Sequence, residues 1–242
     1  MNPSNPAIPV PEALLEHLRS HHPLPAPLPT APFALFKSWL DAAERHRHTP
    51  NPNAMCVATV DPDGTPSARI LLCRGVDIAQ GSITFFTNYT SDKAAALEAY
   101  PNACVNFHFD HAEQQVRIKG PIIKASPQAS DEYFNARPWE SRLSAWMSHQ
   151  SQPLASREEL FARVPGILQK LNLAPDEILS KGNDAPIPRP PHWGGYHLIA
   201  SSVELWLGGP GRLHDRARWT RSVTLHASTP RTGPWSVTRL NP

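Results

Sequence analysis

Proline restricts the possible folds of this chain more than any other residue. The sequence has 28 prolines among 242 residues, whereas proline makes up about 5% of an average protein. Proline lacks a backbone N–H donor and interrupts helices and central strands. The prolines concentrate in residues 1–32 and in the stretch Pro186–Pro191. We therefore expect a Pro-rich N-terminal arm over 1–32, a folded domain over 33–242 and an extended connector at Pro186–Pro191.

Composition excludes several classes of protein. Hydrophobic residues make up 40% of the chain, enough for a sizeable core, and the net charge is only +2 with the arginines scattered singly. A nucleic-acid partner is not expected, because such binders concentrate their Lys and Arg in a patch. No run approaches the roughly 18–20 apolar residues of a membrane span, and the N-terminus has no secretory signal pattern. Cys56, Cys73 and Cys104 lack metal or redox spacing, so we expect reduced core thiols and a cytoplasmic protein.

The order of the predicted elements indicates an antiparallel β protein with inserted helices. A strong hairpin signal, Asp61-Pro62-Asp63-Gly64, joins two apolar β-rich runs. Strands are predicted at Ala54–Val60, Thr65–Cys73, Ile83–Thr87, Ala103–Phe109, Gln115–Ile123 and Gly195–Leu207, with closing strands in Ala217–Leu240. Helices are predicted at Pro11–His21, Ala34–His46, from the N-cap Ser91 to Tyr100, at Pro127–Ala136, at Trp139–Met147 and after the capping box Ser156–Glu159. Since no βαβ rhythm recurs, the fold class is α+β, organised around a β-barrel.

Common catalytic signatures are missing from the sequence. It has no Walker A loop, no G-x-G-x-x-G that opens a helix after a strand, and no G-x-S-x-G elbow. The glycine-rich turn Gly208–Gly211 should be followed by strands, so it offers no helix N-terminus to a pyrophosphate. His108 and His111 have no obvious third ligand, so we expect no metal site.

Arg, Lys, Ser, Thr and Gln residues recur at predicted strand ends and helix starts, which suits binding of phosphates and polar heterocycles. The segment Trp206–Arg216, Trp-Leu-Gly-Gly-Pro-Gly-Arg-Leu-His-Asp-Arg, resembles the C-terminal signature of the pyridoxine 5′-phosphate oxidase family. Further matches follow in the family's order: Phe85–Asn88, Gln115–Gly120, Tyr133–Pro138 with Ser141, Ala145–Ser151 and Trp193–Gly195. The resemblance covers roughly Phe33 to Pro242. It implies an FMN-binding split β-barrel, antiparallel and Greek-key-like, with peripheral helices, in a homodimer.

The resemblance also implies a flavin site. Arg69 and Lys93 would hold the FMN phosphate, with Gln150 and Ser151 contributed by the other subunit. The strand residues Arg69, Ile70, Leu71, Leu72, Cys73 and Arg74 would line the isoalloxazine together with Phe86, Thr87, Gln115, Trp206 and Arg216. FMN would take hydride from the substrate, and O₂ would reoxidise it with release of H₂O₂.

A substrate site follows from the same resemblance. Pyridoxine or pyridoxamine 5′-phosphate would be held through its phosphate by Arg74, Tyr133, Arg137 and Ser141, and would be converted to pyridoxal 5′-phosphate. Arg212, Leu213 and His214 would lie over the pyridine ring. Arg212 and His214 are the predicted catalytic residues: Arg212 would polarise the amine or hydroxyl substituent, and His214 would orient or tune it.

Three positions depart from the family pattern. Arg74 replaces a lysine, Asp92 replaces an arginine near the FMN phosphate, and Phe86 replaces a tyrosine. These differences keep two alternatives open beside the vitamin B6 oxidase. The first is a related FMN oxidase acting on another small aromatic metabolite, and the second is a non-catalytic protein that binds flavin or pyridoxal phosphate.

Overall fold

A computed structural model describes residues 10–19, 23–226 and 229–242. Its helices are α1 Glu12–Leu18, α2 Phe33–His46, α3 Asp92–Ala99, α4 Pro127–Asn135, α5 Trp139–Met147, α6 Arg157–Ala162, α7 Val164–Leu171 and α8 Pro175–Lys181. Its strands are β1 Ala54–Val60, β2 Pro66–Leu72, β3 Gly75–Asp77, β4 Ser82–Asn88, β5 Asn102–Phe109, β6 Gln114–Lys124, β7 Trp193–Ile199, β8 Ser202–Leu207, β9 Asp215–Thr220, β10 Val223–His226, β11 Thr229–Thr232 and β12 Ser236–Leu240.

Ten strands form one curled antiparallel sheet, and β10 and β11 form a separate hairpin. The main path runs β12-β9-β8-β6-β5-β1-β2, while β7 joins β6 to β4. The long strand β6 changes partner part-way, because residues up to Lys119 pair with β8 and those from Ile122 pair with β7. Gly120 permits this change, since a Cβ there would lie 1.9 Å from the carbonyl oxygen of Ile199. The predicted antiparallel α+β barrel is confirmed.

The core lies inside the curled sheet and under α2. Strand β1 alternates half-buried and buried residues over its first six positions, as expected for a sheet with one face in the core. Phe36 of α2 packs on Phe107 of β5 with ring centroids 5.0 Å apart. Both side chains are fully buried, and each such burial contributes about 2–3 kcal/mol.

The part of the Pro-rich arm nearest the domain is docked on it. Leu24 is 1% exposed and belongs to the main core. Trp219 Nε1 donates to the Pro29 carbonyl at 2.8 Å, and the Leu24 amide donates to Asp215 at 2.8 Å. By contrast, the apolar side chains of α1 remain exposed on this chain. That helix lies next to the turn Pro210–Arg212.

The structure corrects several predicted boundaries. The segment Gly195–Leu207 is two strands, β7 and β8, with a break at Ala200-Ser201. The short strand β3 and the helices α7 and α8 were not predicted separately, and α1 ends before the predicted His21, which lies outside the described residues. Ser91 occupies the N-cap position of α3, but its side chain makes no capping bond. The Ser156 cap is confirmed, since its hydroxyl accepts from the Glu159 amide at 3.2 Å.

Candidate active site

A cavity of about 540 Å³ opens between β2, β4 and the helices α4 and α5. Nine of the predicted site residues line it: Ile70, Leu71, Leu72, Arg74, Phe86, Thr87, Tyr133, Arg137 and Gln150. Seven further lining residues were not assigned a role from sequence: Asn88, Ser144, Ala145, Met147, Ser148, Leu160 and Trp193. The predicted site residues from distant parts of the chain therefore meet around one cavity.

Three aromatic rings form a stacked wall of this cavity. Phe86 lies parallel to Tyr133 with centroids 4.0 Å apart, and parallel to Trp193 at 5.4 Å. Gly195 makes the stack possible, because a Cβ there would lie 2.8 Å from the Phe86 ring. The Phe86 side chain is thus held in place by two parallel neighbouring rings. A flat apolar wall suits a planar aromatic ligand.

Two arginines stand at the Tyr133 side of the cavity without an acidic partner among the described residues. The Arg137 guanidinium lies 4.7 Å from the Trp193 ring centroid, and that of Arg74 lies 5.8 Å from the Tyr133 ring. Arg137 Nη1 is buried and makes no hydrogen bond. Burial, together with the nearby Arg74 charge, lowers the pKa of Arg137. Two neighbouring cations with a buried, unsatisfied donor are suited to an anion such as phosphate.

A second pair of cations adjoins the same cavity. Lys93 is 8% exposed, and its Nζ donates to Gln150 Oε1 at 2.6 Å and to Ser91 Oγ at 3.0 Å. Burial first, and then the charge of Arg69, lower the pKa of Lys93 to about 8. Arg69 is oriented by the hydroxyls of Thr59 and Ser67, at 2.7 and 2.8 Å. An anion bound here would restore the charged state that burial disfavours.

The surroundings of Lys93 explain two features of the sequence. The Ser91 hydroxyl donates to the Asn88 carbonyl at 2.7 Å and accepts from Lys93, so its side chain is directed to these partners instead of the amides of α3. Asp92, which replaces a family arginine, is exposed, and its backbone amide donates to Ser151 Oγ at 3.3 Å. Its carboxylate lies in the first turn of α3, where the helix dipole favours negative charge.

Some predicted residues have other surroundings. Cys73 belongs to the hydrophobic core instead of the cavity wall, and burial raises the pKa of its thiol to about 11. Its predicted role in lining the flavin is therefore not supported for the side chain. Ser141 does not line the cavity, whereas Ser144, one turn later on α5, does. Gln150 and Ser151 were expected from the partner subunit, but the chain that carries Lys93 and Asp92 already brings them to these residues.

The other predicted residues form a second cluster on β6, β8 and β9. Gln115, Trp206 and Arg216 are directly opposite one another on these three strands and so share one face of the sheet. His214 packs on Trp206 with ring centroids 4.5 Å apart, and its Nδ1 is buried without a partner. Arg212 has a positive φ of 65°, a conformation that non-glycine residues adopt at a cost.

The turn that carries Arg212 needs its glycines. A Cβ on Gly209 would lie 2.4 Å from the Leu213 carbonyl oxygen, and one on Gly208 would lie 2.7 Å from the Glu113 side chain. Leu213 itself is 46% exposed. The glycines therefore let the turn fold closely on itself and present Arg212, Leu213 and His214 at its end.

Ile70, which lines the cavity, lies on the same face of the sheet as the second cluster but far from it. A row of directly paired residues crosses the strands: Ile70, Cys56, Asn106, Arg117, Glu204 and Arg218. Strands are about 4.8 Å apart, so the path along the sheet from β2 is about 14 Å to β6 and about 24 Å to β9. None of Gln115, Trp206, Arg212, His214 and Arg216 lines the cavity of the same chain.

Comparisons with known proteins show the family to which this chain belongs. The family model described as pyridoxamine 5′-phosphate oxidase matches residues 42–169, and the one described as the pyridoxine 5′-phosphate oxidase C-terminal dimerisation region matches residues 193–242. The chain belongs to the pyridoxamine 5′-phosphate oxidase family. It is 44% identical to the pyridoxine/pyridoxamine 5′-phosphate oxidase of Burkholderia lata over 87% of this chain and 89% of that protein. The corresponding protein of Cupriavidus necator is 43% identical over the same shares.

Solved structures of this family share the fold. PhzG from Burkholderia lata, solved in complex with tetrahydrophenazine-1-carboxylic acid, has a TM-score of 0.72 and 28% identity, with 88% of this chain and 94% of that chain covered. An FMN-binding, pyridoxamine 5′-phosphate oxidase-related protein from Nostoc punctiforme has a TM-score of 0.62 and 19% identity, with 88% and 98% covered. The chain thus has the FMN-binding split-barrel fold of the pyridoxamine 5′-phosphate oxidase family.

Within residues 10–19, 23–226 and 229–242, no three His, Cys, Asp or Glu side chains converge as metal ligands. In the same ranges, none of the helices combines the length and the apolar character that crossing a membrane requires.

Proposed function

We propose that this member of the pyridoxamine 5′-phosphate oxidase family is an FMN-dependent oxidase that converts pyridoxine or pyridoxamine 5′-phosphate to pyridoxal 5′-phosphate. The observation that carries the proposal is the presence of two separate cation pairs at one cavity, Arg69 with Lys93 and Arg74 with Arg137. Two phosphorylated molecules would each satisfy one pair. The flat wall of Phe86 would then face the aromatic rings.

The residues present fit FMN. The buried Lys93 and the half-buried Arg69 offer two cations for its phosphate, and Gln150 is already in contact with Lys93. In the second cluster, Arg216 Nε and His214 Nδ1 are buried and lack partners within the described chain. Buried donors without partners are rare in folded proteins and commonly mark a site for a ligand.

A homodimer would bring the two clusters together. The face that joins them has half-buried small residues at Ala54, Cys56 and Ala58 on β1, and Ile70 on β2 is 65% exposed. An isologous interface over this face would place the Trp206 end of one copy beside the Ile70 end of the other, and would do so twice. Each complete site would then consist of one cavity and the partner's Arg212 and His214 turn. The match to a C-terminal dimerisation region supports this arrangement.

The chain's own residues would bind, orient and polarise the substrate. Arg74, Tyr133 and Arg137 would hold the substrate phosphate, which leaves the pyridine ring free to stack and gains rate through proximity. Arg212 would polarise the amine or hydroxyl on the carbon that is oxidised, and His214 would orient it. Bound FMN would supply the two-electron acceptor, with O₂ as the final oxidant and H₂O₂ as its product.

The test is an absorbance spectrum of the purified protein followed by an oxidation assay. We expect a yellow protein, and production of H₂O₂ and pyridoxal 5′-phosphate from pyridoxine or pyridoxamine 5′-phosphate. The unphosphorylated vitamers should be poor substrates, because they leave Arg74 and Arg137 without an anion. A full flavin load without turnover of either phosphorylated vitamer would contradict the proposal.

A second candidate is an FMN oxidase acting on a different aromatic acid. Two observations favour it: the solved structure of PhzG holds a tricyclic carboxylic acid, and Arg74 replaces the family's lysine. A guanidinium binds a carboxylate as a planar fork at least as well as it binds phosphate. The discriminating assay offers the protein a reduced phenazine carboxylate and pyridoxamine 5′-phosphate side by side. Preference for the carboxylate would select this second function.

We place the proposed activity in a reducing compartment, the cytoplasm. Cys56, Cys73 and Cys104 are all free thiols, which supports this location.

A further inference from the structure

Glu204 of β8 is a buried carboxylate shared by three arginines. It accepts from Arg117 at 2.6 Å, from Arg216 at 2.7 Å, and from Arg218 at 2.9 and 3.2 Å. Only 5% of its side chain is exposed. Burial opposes its charge, but the hydrogen bonds from Arg216 and Arg218 and the charge of Arg117 outweigh burial and lower its pKa to about 2. Glu204 therefore stays ionised at every working pH.

The three arginines differ in the hydrogen bonds that they make to groups other than Glu204. The guanidinium bonds of Arg117 and Arg218 go to Glu204 alone among the described residues, whereas Arg216 has a second anchor. Arg216 Nη1 donates to the Asn241 carbonyl at 2.9 Å, so two bonds hold its guanidinium from two sides. Its Nε is buried and has no partner in the described chain. A donor that is oriented on one side and unsatisfied on the other is prepared for a ligand.

We propose that Glu204 is a positioning residue that fixes the Arg216 guanidinium in the orientation needed to bind the flavin. The inference rests on the proposed function, because Arg216 is the predicted flavin contact and Glu204 acts only through it. An arginine side chain has several rotatable bonds, and holding it in one geometry beforehand removes an entropy cost from binding. Arg117 and Arg218 share the carboxylate without having this role.

The experiment measures FMN affinity and thermal stability of the full-length apoprotein in the variants Glu204→Gln, Arg218→Met and the double variant. FMN affinity is read from quenching of flavin fluorescence, and the oligomeric state is checked by size exclusion. Wild type carries three arginines and one glutamate here, a net charge of +2, and the double variant carries two arginines, again +2. The double variant thus restores the charge balance of the cluster without restoring the carboxylate that holds Arg216.

We expect Glu204→Gln to weaken FMN binding about tenfold, the effect of losing one hydrogen bond between charged groups. Arg218→Met should change the dissociation constant less than twofold. The double variant should recover most of the lost melting temperature but keep the weak FMN binding. If Glu204→Gln does not fold, the test is the comparison of FMN affinity between the double variant and Arg218→Met.

Two results would overturn the inference. One is wild-type FMN affinity in a folded, dimeric Glu204→Gln protein. The other is recovery of FMN affinity in the double variant, since this would reduce Glu204 to a charge-balancing role. Failure of the wild-type protein itself to bind FMN is a different outcome: it contradicts the proposed function, and the positioning role with it.

Discussion

The cavity and the β8–β9 surface both carry arginines, yet they treat them in opposite ways. Around the cavity, Arg74, Arg137 and Lys93 form no ion pair within the described chain, although Lys93 is buried. On β8 and β9, Arg216 and its neighbours converge on one ionised Glu204. Within the described chain, arginines thus lack an acidic partner at the cavity, whereas on the β8–β9 surface they share one.

The chain thus uses charged side chains in two ways, for ligand binding in the cavity and for positioning on β8 and β9. Buried charges without partners are costly, so a chain keeps them where a ligand of opposite charge completes the site. Burial lowers the pKa of Arg137 and of Lys93, and the neighbouring charge of Arg74 or Arg69, respectively, lowers it further. The arginines that share Glu204, in contrast, are held in a fixed geometry by its carboxylate, and the one buried side-chain atom of this cluster without a partner in the described chain is Nε of Arg216. We therefore expect the cavity to select ligands by their charge and the β8–β9 surface to orient the bound ligand.

The largest effect is expected from the loss of a cavity cation. Arg137→Met should lower kcat/KM for pyridoxamine 5′-phosphate about a hundredfold, because a charge-assisted hydrogen bond of about 3 kcal/mol to the phosphate is removed. The loss should appear mainly in KM, while FMN affinity stays within about twofold. Steady-state kinetics and a flavin titration measure both. Arg157→Met, which removes an exposed guanidinium stacked on Phe161, is the matched control and should leave both unchanged.

A smaller effect is expected from a change of pH, and it should be specific to FMN binding. Lys93 has a pKa of about 8 in the folded chain, below the ordinary lysine value of 10.5. As pH rises through 8, the apoprotein loses the cation that would hold the FMN phosphate, so FMN affinity should fall about tenfold per pH unit above 8. Fluorescence titrations from pH 7 to about 9.5 check this slope. In Lys93→Gln, FMN binding should be weak at all pH values, and a slope retained there would assign the titration to another group.

The same pKa shift fixes the sign of the stability change. Between pH 8 and 10.5 the unfolded chain binds more protons at this lysine than the folded chain does, so the apoprotein gains stability from Lys93 as pH rises. This gain is complete above 10.5 and is lost as pH falls through 8. Stability and FMN affinity should therefore move in opposite directions over this window.

The smallest effect is expected at Asp92, an exposed anion beside the cavity cations. Asp92→Asn should change FMN affinity by about threefold at most, because exposed charges are screened by water and salt. Titration at low and at high ionic strength provides the check. A change in FMN affinity of tenfold or more would mean that the Asp92 carboxylate reaches the phosphate site. The cavity cations would then have an acidic partner, and the contrast with the β8–β9 surface would not hold.

Sequence patterns predicted most of the fold. The bounds of β1 and α5 are confirmed residue for residue, because alternating apolar residues and proline boundaries are local signals. The break at Ala200-Ser201 was missed, since it contains neither Gly nor Pro and β-rich runs lie directly on both sides of it. Gln150 could not be assigned to its own subunit, because that depends on how the loop after α5 folds back onto Lys93.

Nine of the residues that the sequence analysis singled out line the cavity, but their arrangement could not be predicted. Trp193 belonged to a recognised motif, yet only the structure reveals that it stacks on Phe86 and lies under Arg137. The division into two distant clusters follows from strand order and register, which no single segment encodes. The role of Glu204 was missed for the same reason, because its three arginine partners come from two neighbouring strands.

The sharing of each site between two chains is tested most directly by complementation between two variants, assayed with the substrate far below KM, where each variant alone is nearly inactive. Arg137→Met disables the cavity, and Arg212→Met disables the turn on the other cluster. If each site joins one chain's cavity to the partner's turn, a mixed dimer has one intact site out of two. Random pairing from co-expression should then restore about a quarter of wild-type activity, because half of the dimers are mixed. Activity that stays at the level of the separate variants, in a preparation shown to contain mixed dimers, would contradict a site shared between two chains.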